Sequence, residues 1–342
     1  VSAALAGPTP PRQYRIAVVG AGAWGTALAV HAARAGHHVC LWGRDEQQIA
    51  AMTTSGINAR YLPDTELPAG LVPTAGIAAA LAGAEIAISA VPSRRTREVW
   101  ARFSEHLPAG SHLVSATKGI ERGSGQRMTE VLAECVPHAG SFSALSGPSF
   151  AQELAAGHPT AVTLGCVGAA AGDELQRALS HGPLRVYRNE DVVGVELGGA
   201  LKNVIAIASG ISDGLGLGSN SQAALVCRGL KEMTQLACRM GAEGNTLMGL
   251  SGLGDLVLTC TGPLSRNRAL GVRIGQGEGL ESIQASAHSL AEGTVTVRSA
   301  MELAVLHEVE MPITEQVHGV LYGGATPQTA IERLLARALV DE

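Results

Sequence analysis

The sequence predicts an α/β fold in two parts, a doubly wound sheet domain followed by an all-helical domain. Three observations carry this. Residues 14–20, YRIAVVG, form a short apolar run ending in glycine; WGTALAVHAARAG follows with helical character, and HHVCLWGR reads as a second buried strand. Further strand-like runs at 84–91, 111–117, 142–147 and 160–166 alternate with helical stretches near 94–106 and 125–136, as in a mostly parallel sheet. From about residue 190 the pattern changes. DVVGVELGGALKNVIAIASGISDG, SQAALVCRGLKEMTQLACRMG, SRNRALGVRIGQG, TVTVRSAMELAVLHE and TPQTAIERLLARAL are helical, with Gly-rich breaks between them. The expected division is a flexible tail at 1–13, a Rossmann-type sheet domain at 14–189 and a helical domain at 190–342.

Composition narrows the function. Of 342 residues, 46% are hydrophobic and 16% charged, enough apolar surface for large cores and too little charge for disorder. A net charge of −5 and 3% aromatic residues argue against nucleic acid as a partner, since polyanions need basic surfaces and single strands need stacking platforms. The six cysteines form no CxxC pair and the eleven histidines no HExxH spacing, so a reducing compartment and no metal site are expected. No uncharged apolar run reaches 18 residues, so no membrane insertion is expected; Glu85 interrupts IAAALAGAEIAISAV. The opening VSAALAGPTPPRQ lacks the charged start and long apolar stretch of a signal peptide.

GAGAWG, residues 20–25, matches G-x-G-x-x-G between a strand and a helix. Gly20 permits the tight turn, Gly22 lets a pyrophosphate approach the backbone at the helix N-terminus, and Gly25 allows helix and strand to pack closely. This context predicts a dinucleotide site. After the second strand the chain reads WGRDE. An acid there bonds the ribose 2′-hydroxyl of NAD, and an arginine accommodates the 2′-phosphate of NADP. Arg44 precedes Asp45, which favours NADP(H) with NAD(H) also usable. Trp24 either covers the cofactor or packs into the core.

Only three of the 25 basic residues are lysines. In an arginine-rich chain, a lysine marks a place where an ammonium that can release its proton is useful. Lys231 lies in an ordinary amphipathic helix. Lys118, in SATKGI, stands at the C-terminal end of a strand, where ligands bind in open α/β sheets. Lys202 is the sole Lys or Arg between 189 and 227, in an apolar helix. Burial there lowers its pKa toward the range of proton exchange, and hydride transfer to a carbonyl needs such a proton. Asp255 is a candidate partner for it. TCTGPLSRNR places Ser265, Arg266, Asn267 and Arg268 past a Gly-Pro turn; phosphate, nucleic acid or a solvated helix end would each explain them.

Together GAGAWGTALA, SATKGIE, ALSGPSFAQE, VELGGALKNVIAIASGISDGLGLGSNSQAAL, GLSGLGDLVLTCTGPLSRNR and EMPITEQVHGVLYGG resemble, in order over about 14–325, the bacterial NAD(P)-dependent sn-glycerol-3-phosphate dehydrogenases. The resemblance implies a cytoplasmic, homodimeric enzyme that reduces dihydroxyacetone phosphate for phospholipid synthesis. It implies cofactor contacts at Ala23, Trp24, Arg44, Lys118, Ala151, Arg266, Leu290 and Glu292. It implies substrate contacts at Lys118, Gly147, Ser149, Lys202, Asn203, Asp255, Ser265, Arg266 and Asn267. Lys202 would be the proton acceptor in alcohol oxidation, with Lys118 and Asp255 assisting. Arg268 is expected to be a solvated neighbour. Ala23 and Gly262 each stand where relatives usually have Ser, the second loosening its loop. VPSRRTREVW is more basic than the family pattern and leaves open whether Arg94 or Arg95 faces the cofactor. Two rival readings are a β-hydroxyacid dehydrogenase-type reductase and a non-catalytic dinucleotide sensor.

Overall fold

The computed structural model describes residues 12–286 and 291–338. Of the expected tail, residues 1–11 lie outside the described residues. Arg12 is ion-paired with Glu85 and Glu174 of the sheet domain.

The sheet domain begins with β1 (Arg15–Val19), α1 (Ala23–Arg34), β2 (His38–Trp42) and α2 (Glu46–Ser55). A small hairpin, β3 (Ile57–Asn58) and β4 (Leu62–Glu66), precedes β5 (Leu71–Thr74) and α3 (Ile77–Leu81). Next come β6 (Ile86–Ser89), α4 (Thr96–Phe103), β7 (His112–Ser115), α5 (Met128–Cys135) and β8 (Ser141–Ser146). The domain ends with α6 (Ala151–Ala155), β9 (Thr160–Cys166), α7 (Ala169–Leu179) and β10 (Leu184–Asn189). The eight-stranded sheet has the order β10-β9-β8-β7-β6-β1-β2-β5, parallel except between β8 and β9. In β1, Ile16 and Val18 face one side and Ala17 and Val19 the other, all four buried. Leu28, Leu154 and Leu175 cover the first side, and Leu81, Trp100, Phe103 and Leu132 the second. Burial on both faces is why the strands read as continuous apolar runs.

The sequence reading did not include β10, β5 or the hairpin. In β10, Leu184 and Val186 are buried while Arg185 and Tyr187 are exposed, an alternation in which the outward residues mask the strand. It is an edge strand whose Val186 amide donates to Ser180 Oγ and whose Val186 carbonyl accepts from Gln176 Nε2, so the edge is partly closed by α7 and its end. β5 is the other edge and contains Pro73, a residue that an edge tolerates.

The described residues that follow are mostly helical. They contain α8 (Val192–Gly214), α9 (Gly218–Arg239), α10 (Gly244–Leu247), a π-helical turn at Leu250–Gly254, α11 (Asp255–Thr261) and α12 (Arg266–Gly275). These are followed by α13 (Leu280–Ser286), α14 (Gly293–Leu306), α15 (Pro312–Tyr322) and α16 (Pro327–Leu335). The exposed Lys231 lies on α9, as an amphipathic helix requires. Among the described residues α8 is the one unbroken helix long and apolar enough to cross a membrane, and 94% of its apolar window is buried inside the protein. It is the core around which α9, α11, α12, α14 and α15 pack.

Four glycines let α12 lie directly on α8, Gly210 and Gly214 on α8 and Gly271 and Gly275 on α12. A methyl group on Gly210 would stand 2.1 Å from the Arg268 carbonyl oxygen, and one on Gly271 would stand 2.2 Å from that of Ile207. The backbones therefore touch, and the start of α12 is set against the middle of α8. Gly271→Ala forces the helices apart. It is expected to destabilise the fold by about 1–3 kcal/mol, read from urea denaturation. Unchanged stability would mean that the crossing relaxes freely.

Candidate active site

The C-terminal end of β8 and Lys118, just after β7, lie against Gly199 in the middle of α8. The strand order turns at β1, with β2 on one side and β6 on the other, and such a reversal opens a ligand crevice. Lys118 follows β7, Gly147 and Ser149 follow β8, Lys202 lies on α8, and Asp255 begins α11.

These residues meet at one carboxylate. Lys202 Nζ donates to Asp255 Oδ1 at 2.7 Å and Lys118 Nζ to Asp255 Oδ2 at 2.7 Å. The Asp255 side chain is 1% exposed, against 8% for Lys202 and 18% for Lys118. The candidate partnership of Asp255 with Lys202 is therefore present, and Lys118 joins it. Lys118 also donates to the Gly147 carbonyl at 2.8 Å and to Ser149 Oγ at 3.3 Å. An ammonium has three donors, so this set occupies Lys118 fully. Lys202 donates to Thr259 Oγ1 at 2.5 Å, and the Thr259 hydroxyl in turn donates to the Asp255 main-chain carbonyl at 2.6 Å. One Lys202 N–H is left beyond these two bonds. Burial pulls the Lys202 ammonium down to about 8, against the attraction of Asp255 that supports its charge; nearby Lys118 adds to the lowering.

The glycine turn has the features a pyrophosphate needs. Gly20 has φ +125°, and Gly25 packs so closely on Gly20 that a methyl there would lie 1.9 Å from its carbonyl oxygen. Nothing stands within 4 Å of where a side chain on Gly22 would point. Gly22 caps α1 with no side-chain bond, so the first-turn N–H groups beside Ala23 and Trp24 face open space. Trp24 Nε1 is buried without a hydrogen-bond partner. Its ring packs partly against the core. Ala151 is the first residue of α6, just beyond Ser149.

At the end of β2, Arg44 is exposed and no described residue pairs with it. Asp45 is occupied. Its Oδ1 caps α2 by accepting from Gln47 and Gln48 N–H at 3.1 Å, and its Oδ2 meets Arg60 at 3.4 Å. Arg60 was not a candidate in the sequence because its approach to Asp45 depends on the β3–β4 hairpin. Arg44 lies three strands from Lys118, roughly 14 Å at the usual strand spacing.

Ser265 is the N-cap of α12, accepting from the Arg268 N–H at 3.2 Å, and Arg266 is the helix's first residue. Asn267 is buried and engaged. Its Nδ2 donates to Asn203 Oδ1 at 2.8 Å, and its Oδ1 accepts from the Gly293 N–H at 2.9 Å. Asn203 and Asn267 thus join α8, α12 and α14 rather than standing free. Arg268 is not a solvated neighbour: it is half-buried and ion-paired with Asp213 of α8 at 2.8 Å. Nor is the Gly262 turn open, because a methyl there would lie 2.6 Å from the Phe150 ring. Glu292 precedes α14 and accepts from Ser93 Oγ at 3.0 Å. Arg95 pairs with Glu98 on the surface, whereas the charge of Arg94 is felt at Glu292. Leu290 lies outside the described residues. Among those residues, no group of three or more His, Cys, Asp or Glu is disposed to hold a metal ion.

Sequence reasoning missed Thr259 and Ser93. Thr259 sits one helical turn after Asp255, an i,i+4 spacing that would have placed it on the same face once Asp255 was chosen. Ser93 offered no comparable signal.

Comparison with known proteins identifies the family. A family model described as NAD-dependent glycerol-3-phosphate dehydrogenase N-terminus matches residues 15–171, and one described as the C-terminus of the same protein matches 191–332. The chain is 48% identical to a glycerol-3-phosphate dehydrogenase (NAD(P)+) of Acidobacterium capsulatum, covering 96% of this chain and 99% of that one. It is 49% identical to that of Koribacter versatilis, over 96% and 98% of the two chains. The crystal structure of a glycerol-3-phosphate dehydrogenase from Coxiella burnetii superposes with a TM-score of 0.91 at 42% identity, covering 95% of this chain and 99% of that chain. The chain belongs to the NAD-dependent glycerol-3-phosphate dehydrogenase family.

Proposed function

We propose that this chain catalyses the reversible NAD(P)H-dependent reduction of dihydroxyacetone phosphate to sn-glycerol 3-phosphate, the supply reaction for glycerophospholipids. The observation that carries this reading is the buried Lys202–Asp255–Lys118 bridge, at the same end of the sheet as the glycine turn and two strands from it. The bound cofactor supplies a hydride, and the protein must then bind, orient and protonate. Lys202, with one N–H to spare and a lowered pKa, gives its proton to the carbonyl oxygen as negative charge develops there. Asp255 and Thr259 hold its amine in place. Lys118 adds a positive charge on the other side of the same carboxylate, and exchanges its longest bond, to Ser149, for substrate. Gly147 lines that side of the site.

Arg266, Ser265 and the N-terminus of α12 receive the substrate phosphate, since a helix start with a cation is an anion site. Asn203 and Asn267 bring that clamp to Lys202. A remote phosphate grip turns binding energy into orientation at the reacting carbon. Gly20, Gly22, Ala23, Trp24, Gly25, Ala151, Arg266, Leu290 and Glu292 form the cofactor side. NADP(H) is preferred, with NAD(H) usable, because Arg44 is available to a 2′-phosphate while Asp45 is committed to α2 and Arg60. We place the enzyme in the cytoplasm as a homodimer, consistent with six free cysteines. The substrate part corresponds to 190–342 and the dinucleotide part to 14–189. A dinucleotide sensor would not need two lysines on a buried aspartate, and a β-hydroxyacid reductase would want a carboxylate site.

Following NADPH oxidation with dihydroxyacetone phosphate tests the reading directly, and no rate would overturn it. Lys202→Arg retains charge but not an exchangeable proton, so turnover should fall roughly 10²–10⁴-fold, with NADPH still bound. Because the donor must be protonated, reduction should decline as pH rises through about 8, and alcohol oxidation should rise through the same pH. A flat profile in both directions would remove Lys202 from the proton transfer. At saturating NADPH, Arg266→Ala should raise KM for dihydroxyacetone phosphate about 10–100-fold and cost the phosphorylated substrate far more than unphosphorylated dihydroxyacetone. Asp255→Ala leaves buried ammoniums without their anion, and denaturant melts should show about 3–5 kcal/mol lost.

A further inference from the structure

Ser93 and Glu292 lie 199 residues apart in sequence, yet their side chains meet between the sheet domain and the helical domain. Ser93 follows β6 and is 1% exposed, and its Oγ donates to Glu292 Oε2 at 3.0 Å. Gly119 stands against the pair. A methyl group there would lie 2.6 Å from Ser93 Cβ and 3.7 Å from Glu292 Oε2. Gly119 directly follows Lys118, so the contact adjoins the lysine bridge. On its other side Glu292 is followed by Gly293, whose N–H is held by Asn267. Glu292 is therefore held from both domains, its carboxyl by Ser93 and the main-chain amide that follows it by Asn267. No described residue donates to its Oε1.

A carboxylate only accepts hydrogen bonds, so Oε1 fits a donor group. The nicotinamide half of the cofactor offers two kinds, the carboxamide N–H and the ribose hydroxyls. Resting on the function proposed above, we propose that Ser93 is a positioning residue for the cofactor, holding Glu292 Oε2 so that Oε1 stays free to accept from that half. Burial pushes the Glu292 carboxyl above the usual carboxylate range. The Ser93 hydrogen bond opposes this, as do the positive charges of Arg266 on α12 and Arg94 in the turn after β6. Removing the hydroxyl makes the carboxyl still harder to ionise, and a protonated carboxyl is a poorer acceptor.

The test is NADPH binding followed by its fluorescence, without substrate, for wild type, Ser93→Ala, Glu292→Gln and the double variant from pH 6 to 9. Ser93→Ala should weaken binding about tenfold, more at the acid end of this range than at the alkaline end. The double variant should bind no worse than Glu292→Gln alone. Ser93→Cys, a weaker donor, should fall between Ser93→Ala and wild type, and serves as well if Ser93→Ala folds poorly. Binding by Ser93→Ala within twofold of wild type at every pH would overturn the proposal. So would additive losses in the double variant, or a lowered melting temperature with an unchanged NADPH profile. Because the titration needs no turnover, a wild type that binds NADPH yet fails to reduce dihydroxyacetone phosphate counts against the reaction and not against Ser93.

Discussion

The geometry of the site depends on one buried carboxylate, Asp255, shared by two ammoniums. An ammonium taken out of water costs several kcal/mol unless it is paired and hydrogen-bonded. Lys202 on α8 and Lys118 after β7 are each paired, but with the same anion. Sharing has two consequences. It brings the helical domain and the end of the sheet into one register, because both lysines must reach opposite oxygens of a side chain that cannot move. It also leaves the cluster with one net positive charge. A phosphorylated substrate with a developing alkoxide complements that charge, whereas a fully neutralised cluster would not.

The second constraint is the backbone contact between α8 and α12. Gly210 and Gly271 remove the side chains that would separate the helices, so Asn203 and Asn267 come within hydrogen-bonding distance, and Arg268 reaches Asp213. The same Asn267 holds the start of α14, where Glu292 lies. The start of α12, Lys202's helix α8 and the Glu292 segment are therefore linked by short polar bonds and by contact between main chains. A rigid linkage suits a reaction whose donor and acceptor atoms must align within a fraction of an ångström.

Much of this was legible in one dimension. The glycine turn could be placed because its strand, turn and helix are contiguous. Lys202 stood out because no other cation occurs near it in an apolar helix. Lys118 could be placed at a strand end, and family resemblance carried the remaining contacts. The losses have specific causes. β10 hid behind its outward Arg185 and Tyr187. Arg268 looked solvated because its partner lies 55 residues upstream on another helix. Asp45 seemed available to a ribose until its role as the α2 cap and its contact with Arg60 were visible. Thr259 and Ser93 are common residue types whose meaning comes only from what they touch.

The sequence by itself determined the two-part α/β and helical architecture, the glycine turn between β1 and α1, and the two lysines set apart from an arginine-rich background. Each of these rests on local rules: apolar periodicity, glycine at a strand–helix junction, and a rare lysine in an apolar segment. Only the tertiary structure decided that one aspartate serves both lysines, that Asn267 ties helices together, and that Ser93 meets Glu292 across 199 residues. Such pairings follow from the crossing of α8 and α12 and from the order of strands in the sheet. They are set by the cost of leaving a buried polar group unpaired in the folded chain, and no stretch of sequence contains both partners.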